Sequence, residues 1–161
     1  NLKLTGEDLV VDKLAISRLE AEFSNLKIKE SKEEWKVIRA ENDYFNLELT
    51  EESLNQYLVN KPELRIFEGF KLELLSNKVM IIATLKVFNA VVNLQLSGNF
   101  TVADEKTLVF NSHKLAVENI IIPTSLIEQL KDKLQFEITL DKLPLPIRID
   151  RAEVKEDKLV V

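Results

Sequence analysis

The clearest pattern of hydrophobic and polar positions lies between Val92 and Val102, where the two kinds alternate without a break. Even positions carry valine, leucine, glycine or phenylalanine, and odd positions carry asparagine, glutamine, serine or threonine. Because side chains in a strand alternate between faces, this stretch is predicted to be one strand with an apolar face and a polar face. At ~3.3 Å per residue it spans roughly 35 Å. Its apolar face needs a cover from elsewhere in the chain.

Shorter alternating stretches predict strands on both sides of this one. From Asn1 to Glu30 the apolar parity switches at Ser24-Asn25, which indicates a bulge or turn between strands. A second bulge or bend is predicted at Gly69, and the parity changes again after Asn111. The predicted strands beyond the first thirty residues are Trp35–Ala40, Phe45–Leu49, Leu64–Leu74, Lys78–Phe88, Val92–Val102, Leu108–Val117, Phe136–Leu140, Ile147–Val154 and Lys158–Val161.

Two segments have helical spacing instead. Thr50 is a suitable N-cap for a helix from Glu51 to Asn60, because its hydroxyl can accept a hydrogen bond from a free first-turn amide. Apolar side chains then recur at three- and four-residue spacing until Pro62. A second apolar stripe after Pro123 predicts a helix from Thr124 to Leu134.

The elements together predict an α+β fold in a single domain, residues 1–161. Strands far outnumber helices, which disfavours parallel βαβ winding. We expect one long, curled antiparallel β-sheet wrapped around two amphipathic helices, with an apolar cleft between them. Lys78–Phe88 carries apolar residues at both parities and is expected to be buried on both sides at its start.

Composition narrows the function classes. The chain has 161 residues, is 45% hydrophobic and 30% charged, and carries a net charge of -5, which argues against nucleic acid as a partner. The absence of cysteine excludes disulfides and thiolate metal sites. No apolar run is long enough to span a membrane. The sequence begins at Asn1 rather than Met, and we expect that an N-terminal signal or anchor preceded it.

Catalytic signatures are weak. The one histidine, His113, follows Ser112, but adjacent strand residues point to opposite faces and no nucleophile elbow surrounds them. The acidic pairs Glu33-Glu34, Glu51-Glu52 and Glu156-Asp157 fit solvated turns or a first helical turn. Metal-ligand spacings and phosphate-binding glycine loops are absent. We therefore expect a protein that is not an enzyme and that uses no cofactor and no metal.

The apolar side chains are the remaining candidates for function. Each of them alone is most simply explained as core. The alternative is that two short helices leave part of a 35 Å sheet uncovered, because a helix rises only ~1.5 Å per residue, so that a cleft remains for acyl chains. The candidate lining residues, taken from the predicted strand and helix faces, are Phe70, Met80, Phe88, Leu94, Phe100, Phe110, Leu126, Ile127, Leu130 and Phe136.

Three motifs, in this order, resemble a known family. Asn46–Leu58 is a strand that runs into a T-E-x-x-L-N-x-x-L helix. Leu96–Phe110 resembles a glycine-containing hairpin that closes on L-x-F, and Leu143–Val161 contains L-P-L-P-I-R-I followed by a terminal L-V-V. Over about Leu14–Val161 the chain is similar to the LmeA-like phospholipid-binding family. The resemblance implies a fold related to the tubular lipid-binding superfamily and an extracytoplasmic, often membrane-associated protein that binds phospholipid without catalysis.

Two hypotheses follow. In the first, the protein binds, and in one version transfers, a phospholipid or fatty acyl chain in the cell envelope. A membrane surface is then a second partner, and Lys71, Lys86 and Arg148 are candidates for contact with phosphate. In the second, the protein is a structural or interaction module that pairs through exposed strand edges. A large apolar cavity favours the first hypothesis, and a filled interior with a free strand edge favours the second.

Overall fold

The computed structural model describes residues 1–30, 35–117 and 124–161, with the side chains at positions 35, 36, 87, 124, 126 and 127 left aside. In this part of the chain the strands are β1 Leu2–Val11, β2 Leu14–Glu30, β3 Trp35–Thr50, β4 Glu68–Leu75, β5 Lys78–Val87, β6 Ala90–Asp104, β7 Thr107–Val117, β8 Glu137–Thr139, β9 Glu153–Lys155 and β10 Lys158–Val160. The helices are α1 Glu51–Val59 and α2 Thr124–Leu134, and a single 3-10 turn covers Pro62–Leu64.

The strands form two antiparallel sheets. The first is 5-stranded with the order β1-β2-β3-β10-β9, and the second is 5-stranded with the order β4-β5-β6-β7-β8. The curled, mostly antiparallel sheet with two helices is confirmed. The expectation of a single sheet is wrong, because α1 separates β3 from β4 and the chain starts a second meander there. Both sheets and both helices contribute to one shared hydrophobic core.

The predicted parity switches are confirmed as bulges. The register between β2 and β3 shifts between Ser24 and Lys27, and Asn25 has a positive φ of 52°. Gly69 has φ 63° beside a register shift between β4 and β5. In β7, the pairing passes from Gly98–Ser112 to Ser97–Lys114, which leaves His113 as the extra residue. Each bulge changes which residues face the core.

The long strand β6 has the predicted two faces. Its even positions are buried from Val92 to Phe100, whereas Val102 near its end is partly exposed. The neighbouring β5 differs from its prediction. Val79, Ile81 and Ala83 lie in the core, but Ile82 is 38% exposed and Met80 is only half-buried, because they lie on the outer face of the sheet. Phe88 is fully exposed, with φ 55°, in the tight turn between β5 and β6.

Helix α1 joins the two sheets. Thr50 caps it as predicted, since its hydroxyl accepts a hydrogen bond from the Ser53 amide at 3.1 Å. Glu51 accepts from the Leu74 amide of β4 at 2.8 Å, and the Asn55 side chain bonds both backbone groups of Leu72. The helix ends one residue before the predicted Asn60, which is its C-cap.

Helix α2 has the predicted bounds, Thr124–Leu134, and buries Leu130 and Leu134. The side chains of two predicted site residues in its first turns, Leu126 and Ile127, lie outside the described residues. The helix lies beside β7 and the 3-10 turn.

Two predicted strands are corrected. Leu64 and Ile66 lie in and just after the 3-10 turn, so β4 begins only at Glu68. The predicted strand Ile147–Val154 is mostly irregular and reaches strand geometry only from Glu153. Pro144 and Pro146 immediately precede it and have no amide hydrogen to donate to a neighbouring strand. The Ile149 amide donates instead to the carbonyl oxygen of Glu105, in the β6–β7 turn, at 2.8 Å.

Candidate functional site

Four of the predicted site residues form an aromatic cluster inside the core. Phe110 and Phe136 are stacked with ring centroids 5.2 Å apart, and Phe100 contacts both rings edge-on at 6.0 and 6.1 Å. Phe70 contacts Phe136 at 6.3 Å. Phe100, Phe110 and Phe136 are buried and Phe70 is half-buried. These side chains pack against one another, and the apolar cleft predicted between them is not confirmed.

The other predicted site residues do not form one site. Leu94 and Leu130 are buried in the same core. Met80 lies on the outer face of β5, where its sulfur accepts a hydrogen bond from Gln95. Phe88 projects into solvent, so the prediction that it shares a continuous interior with the other residues is wrong.

An open seam runs along one edge of β3. Strand β10 pairs with β3 only at Glu48–Thr50, and Leu47 exchanges two backbone hydrogen bonds with Val161, both 2.9 Å. Before Leu47, residues 37–46 of β3 lie across from the irregular segment 143–153 instead of pairing with it. The two stretches are separated by two neighbouring depressions in the surface.

The larger depression, which we call the seam groove, has a volume of about 560 Å³. The groove is a shallow depression that is open to solvent over most of its area, so a ligand in it would be only partly enclosed. Its walls are mostly aliphatic, and Arg39 and Lys106 are the two cations among its lining residues. The lining residues are Val37, Ile38, Arg39, Ala40, Lys106, Leu143, Pro144, Leu145 and Pro146.

The aliphatic walls of the seam groove are unusually open to solvent. Ile38 is 62% exposed and Val37 is 44% exposed, whereas Leu143 is buried and forms part of the core. Leu145 is half-buried on the opposite wall. Exposed aliphatic side chains that face one another across a groove mark a site where an apolar ligand can be bound.

The two cations of the groove are held by neighbouring groups. Lys106 Nζ donates to the carbonyl oxygen of Leu145 at 3.2 Å. Arg39 pairs with Glu41 at 3.0 Å, and Asn25 also donates to Glu41 at 2.8 Å. These bonds, first from Asn25 and then from Arg39, lower the pKa of Glu41 below its usual value. Both cations therefore stand beside the aliphatic walls with defined partners.

The smaller depression continues the seam and is polar. It has a volume of about 250 Å³ and includes Arg148, Arg151 and Tyr44 among its lining residues, together with Asp43 and Asp150. Arg148 pairs with Asp150 at 3.4 Å, and both side chains are largely exposed. The seam thus changes from an aliphatic part to a polar part along β3.

Of the three cations considered from the sequence, Arg148 is the one that lines the seam. Lys71 pairs with Glu73 at 2.7 Å, and this hydrogen bond raises the pKa of Lys71. Lys86 pairs with Glu68 at 3.1 Å. Both lysines are exposed side chains on β4–β5 and have local partners.

Catalytic and metal chemistry has little support in the described part of the chain. The buried Oγ of Ser112 has no hydrogen-bond partner there, and His113 is exposed. Within residues 1–30, 35–117 and 124–161, His, Asp and Glu side chains do not gather in any group of three that could hold a metal ion. Neither helix described here has the length and hydropathy needed to cross a membrane.

The fold and the seam define a β-sheet protein that carries an open apolar groove flanked by cations. A model of the LmeA-like phospholipid-binding family matches residues 1–161, the whole sequence. The chain therefore belongs to this family, and the match extends beyond the region from Leu14 in which the motifs were found. Comparison with curated proteins and with solved structures gave no match to this chain.

Apart from Arg148, the seam residues were not among the candidates from sequence. Val37, Ile38 and Leu145 were assigned to a strand and to an irregular corner, with no role in binding. The available signal was local: aliphatic residues are interspersed with charged ones at Lys36–Glu41, and two prolines interrupt the terminal strand pattern at Leu143–Pro146. Which segments lie together across the seam depends on the tertiary structure.

Proposed function

We propose that this protein binds one phospholipid, or another lipid with an acyl chain, in the seam groove and performs no reaction on it. Membership in the LmeA-like phospholipid-binding family over residues 1–161 is the observation that carries this proposal. The groove supplies the location, because it combines aliphatic walls with two cations in a volume of about 560 Å³.

The groove fits the two chemical parts of such a ligand. An acyl chain would lie between Val37 and Ile38 on one wall and Leu145 on the other, and would cover side chains that water now contacts. A phosphate would lie beside Lys106 or Arg39, where cations form charge-assisted hydrogen bonds with phosphate oxygens. The polar depression beyond them, with Arg148 and Arg151, has room for the remainder of a headgroup.

The core is a less suitable place for the lipid. Phe110 and Phe136 are stacked on each other, and Phe100 packs against both. An acyl chain could enter there only by displacing these rings, which would cost the stabilisation that their packing provides. A groove that is already open requires no such rearrangement.

Binding without catalysis is part of the proposal. Within the described residues, the buried hydroxyl oxygen of Ser112 has no hydrogen-bond partner and so no base placed to activate it. We further propose an extracytoplasmic role in the cell envelope, in which the protein carries or transfers lipid between membranes. An open groove is compatible with exchange, because the lipid can enter and leave without the unfolding of a strand.

Native mass spectrometry of protein purified without detergent tests the proposal. We expect a mass that corresponds to one bound lipid, and organic extraction that identifies a phospholipid or fatty acid. Leu145→Asp places a charge on the groove wall and should lower the bound fraction at least about tenfold, since transfer of a carboxylate into apolar surroundings is costly. Leu4→Asp, at a half-buried leucine of β1, is the matched control and should retain lipid.

Two results would contradict the proposal. The first is a wild-type protein that carries no lipid and takes none up from phospholipid vesicles. The second is equal loss of lipid in the two aspartate variants while both remain folded by circular dichroism, which would show that the seam groove is not the site.

The alternative function, pairing through exposed strand edges, is supported by the packed aromatic core and by the edge of β3 that lies unpaired before Leu47, but the edges of β1 and β4 are less suitable. Strand β1 is an edge of its sheet, but Asp8 has a positive φ of 51° and is skipped in the pairing with β2. Bulges and charges on an edge strand hinder the addition of another strand. The edge of β4 is engaged by Glu51 and Asn55 of α1.

A further inference from the structure

The hairpin of β2 and β3 extends beyond the hydrophobic core. Phe23 is the last buried residue of β2, and Leu47 is the first buried residue of β3 among the side chains described from Val37 onward. Residues 24–30 and 37–42, which we call the outer hairpin, are all half-buried or exposed. Seven residues of strand span roughly 20 Å. The outer hairpin therefore has no buried side chain, although Ala40 packs against the edge of the core and Val37 and Ile38 line the seam groove.

One face of the outer hairpin is aliphatic. Ile28 and Val37 are direct cross-strand partners, so their side chains lie on the same face. They are 47% and 44% exposed, and Ile38 beside them is 62% exposed. Adjacent exposed aliphatic residues on a projecting element are typical of an interaction surface.

The other face is cationic. Lys27 and Lys29 flank Ile28 along β2 and therefore point to the opposite side. Arg39 lies directly across from Lys27, and Lys36 occupies the position across from Lys29. Like charges directly opposite one another destabilise a strand pair. A hairpin built in this way gains stability when an anionic surface neutralises that face.

The charge of this face contrasts with that of the molecule. The whole chain carries a net charge of -5, which disfavours contact with an anionic surface in most orientations. The exposed pair of Arg39 with Glu41 is weak enough for Arg39 to exchange its partner for a phosphate. Charge complementarity therefore favours the outer hairpin as a surface that contacts anionic groups.

We propose that the outer hairpin docks the protein onto the surface of an anionic phospholipid bilayer. The hairpin enters the headgroup region edge-on, so that Lys27, Lys29 and Arg39 contact lipid phosphates on one face while Ile28, Val37 and Ile38 reach the acyl chains on the other. The inference rests on the proposed function, because Val37, Ile38 and Arg39 also line the seam groove. Docking places the open groove against the membrane from which a lipid is taken or to which it is delivered.

Vesicle flotation with tryptophan fluorescence tests the docking. The sequence contains one tryptophan, Trp35, which begins β3 at the position paired with Glu30 in the same hairpin. Vesicles of equal parts phosphatidylcholine and phosphatidylglycerol should bind the protein and shift the Trp35 emission to shorter wavelength. Vesicles of phosphatidylcholine alone should bind at least about tenfold more weakly, and added salt should weaken the binding to anionic vesicles.

Charge-reversal variants distinguish binding through this surface from an effect of the net charge of the molecule. The double variant Lys27→Glu/Lys29→Glu should lose at least about tenfold in affinity for the anionic vesicles. Its fold should be retained, because each new glutamate faces a cationic position across the hairpin. The matched control Lys78→Glu/Lys114→Glu changes the net charge equally at two exposed lysines of the other sheet and should change affinity by less than about twofold.

Several outcomes would overturn the docking proposal. Equal binding to both vesicle types, or equal losses in the two double variants, would remove the charge argument. Loss of binding in Phe88→Ser would assign docking to the exposed turn between β5 and β6. A change from dimer to monomer in Lys27→Glu/Lys29→Glu, with unchanged flotation, would identify the hairpin as an interface between two copies.

The same variants distinguish failure of docking from failure of lipid binding. Leu145→Asp should lose bound lipid in native mass spectrometry and still float with anionic vesicles. Lys27→Glu/Lys29→Glu should show the reverse, with lipid that was loaded from a detergent-solubilised phospholipid retained in the groove. If Leu145→Asp retains lipid and the lysine variant does not float, docking stands and the groove assignment is wrong.

Discussion

At the residue scale, two phenylalanines show how differently the chain uses its aromatic side chains. Phe110 is fully buried and is stacked on Phe136, with ring centroids 5.2 Å apart. Phe88 is fully exposed in a tight turn, with a φ of 55° that is unusual for a bulky residue. Phe110 therefore contributes to the folding free energy through packing, whereas Phe88 contributes almost nothing through burial.

The same truncation at these two positions should have very different effects. Phe110→Ala should lower the free energy of unfolding by about 3–5 kcal/mol, because it leaves a cavity beside Phe100 and Phe136. Phe88→Ala should change it by no more than about 0.5 kcal/mol. Urea denaturation followed by circular dichroism measures both. A Phe110→Ala protein of wild-type stability would indicate that the aromatic cluster lines a space instead of filling one.

Gly98 illustrates what a strand pattern can and cannot predict. The alternation along Val92–Val102 correctly placed it on the apolar face of β6. The reason for glycine lies on the neighbouring strand, where a Cβ at position 98 would stand 2.8 Å from the Phe110 ring and collide with the carbonyl oxygen of Asn111. That contact depends on the register between β6 and β7, which a single sequence does not reveal.

At the scale of elements, α1 was predictable as a helix but not as a connector. The Thr50 cap and the apolar stripe are local signals, and both are confirmed. Asn55 was noted in the sequence only as part of the T-E-x-x-L-N-x-x-L motif, yet its side chain accepts from the Leu72 amide at 2.7 Å and donates to the Leu72 carbonyl at 2.8 Å. The Asn55 side chain makes the two backbone hydrogen bonds that a residue of a neighbouring strand would make at the edge of β4. In this way it joins the helix to the second sheet.

Removal of the Asn55 side chain should weaken the junction between the sheets. Asn55→Ala leaves the amide and carbonyl of Leu72 without these partners and should cost about 1–3 kcal/mol of unfolding free energy. The adjacent exposed position gives the control, since Gln56→Ala should cost no more than about 0.5 kcal/mol. Equal midpoints of urea denaturation for the two variants would contradict the role assigned to Asn55.

The terminal segment shows where the strand pattern misleads. The alternation at Ile147 and Ile149 predicted a strand, and both side chains are indeed buried. A buried segment becomes a strand only when its backbone groups pair with those of a neighbouring strand. Pro144 and Pro146 lack amide hydrogens, and the segment forms a hydrogen bond with the β6–β7 turn instead. The seam beside β3 exists because this segment runs past the strand edge without pairing with it.

At the scale of the whole molecule, packing and binding are separate. Two sheets and two helices share a core filled by leucine, isoleucine and phenylalanine. The candidate site lies outside that core, where Val37 and Ile38 face Leu145 across the seam groove. The alternating pattern predicted the core and the antiparallel strands. The groove was not predicted, because its walls come from distant parts of the chain and its residues look like ordinary strand and loop positions.

The central claim is that the acyl chain of a phospholipid lies in the seam groove, and photocrosslinking tests it most directly. The measurement uses a phospholipid with a diazirine on its acyl chain, followed by peptide mapping of the labelled protein by mass spectrometry. We predict labels within residues 37–40 and 143–146 that unlabelled phospholipid competes away. Labels confined to the aromatic cluster around Phe110 and Phe136, or labels that unlabelled lipid does not reduce, would contradict the account.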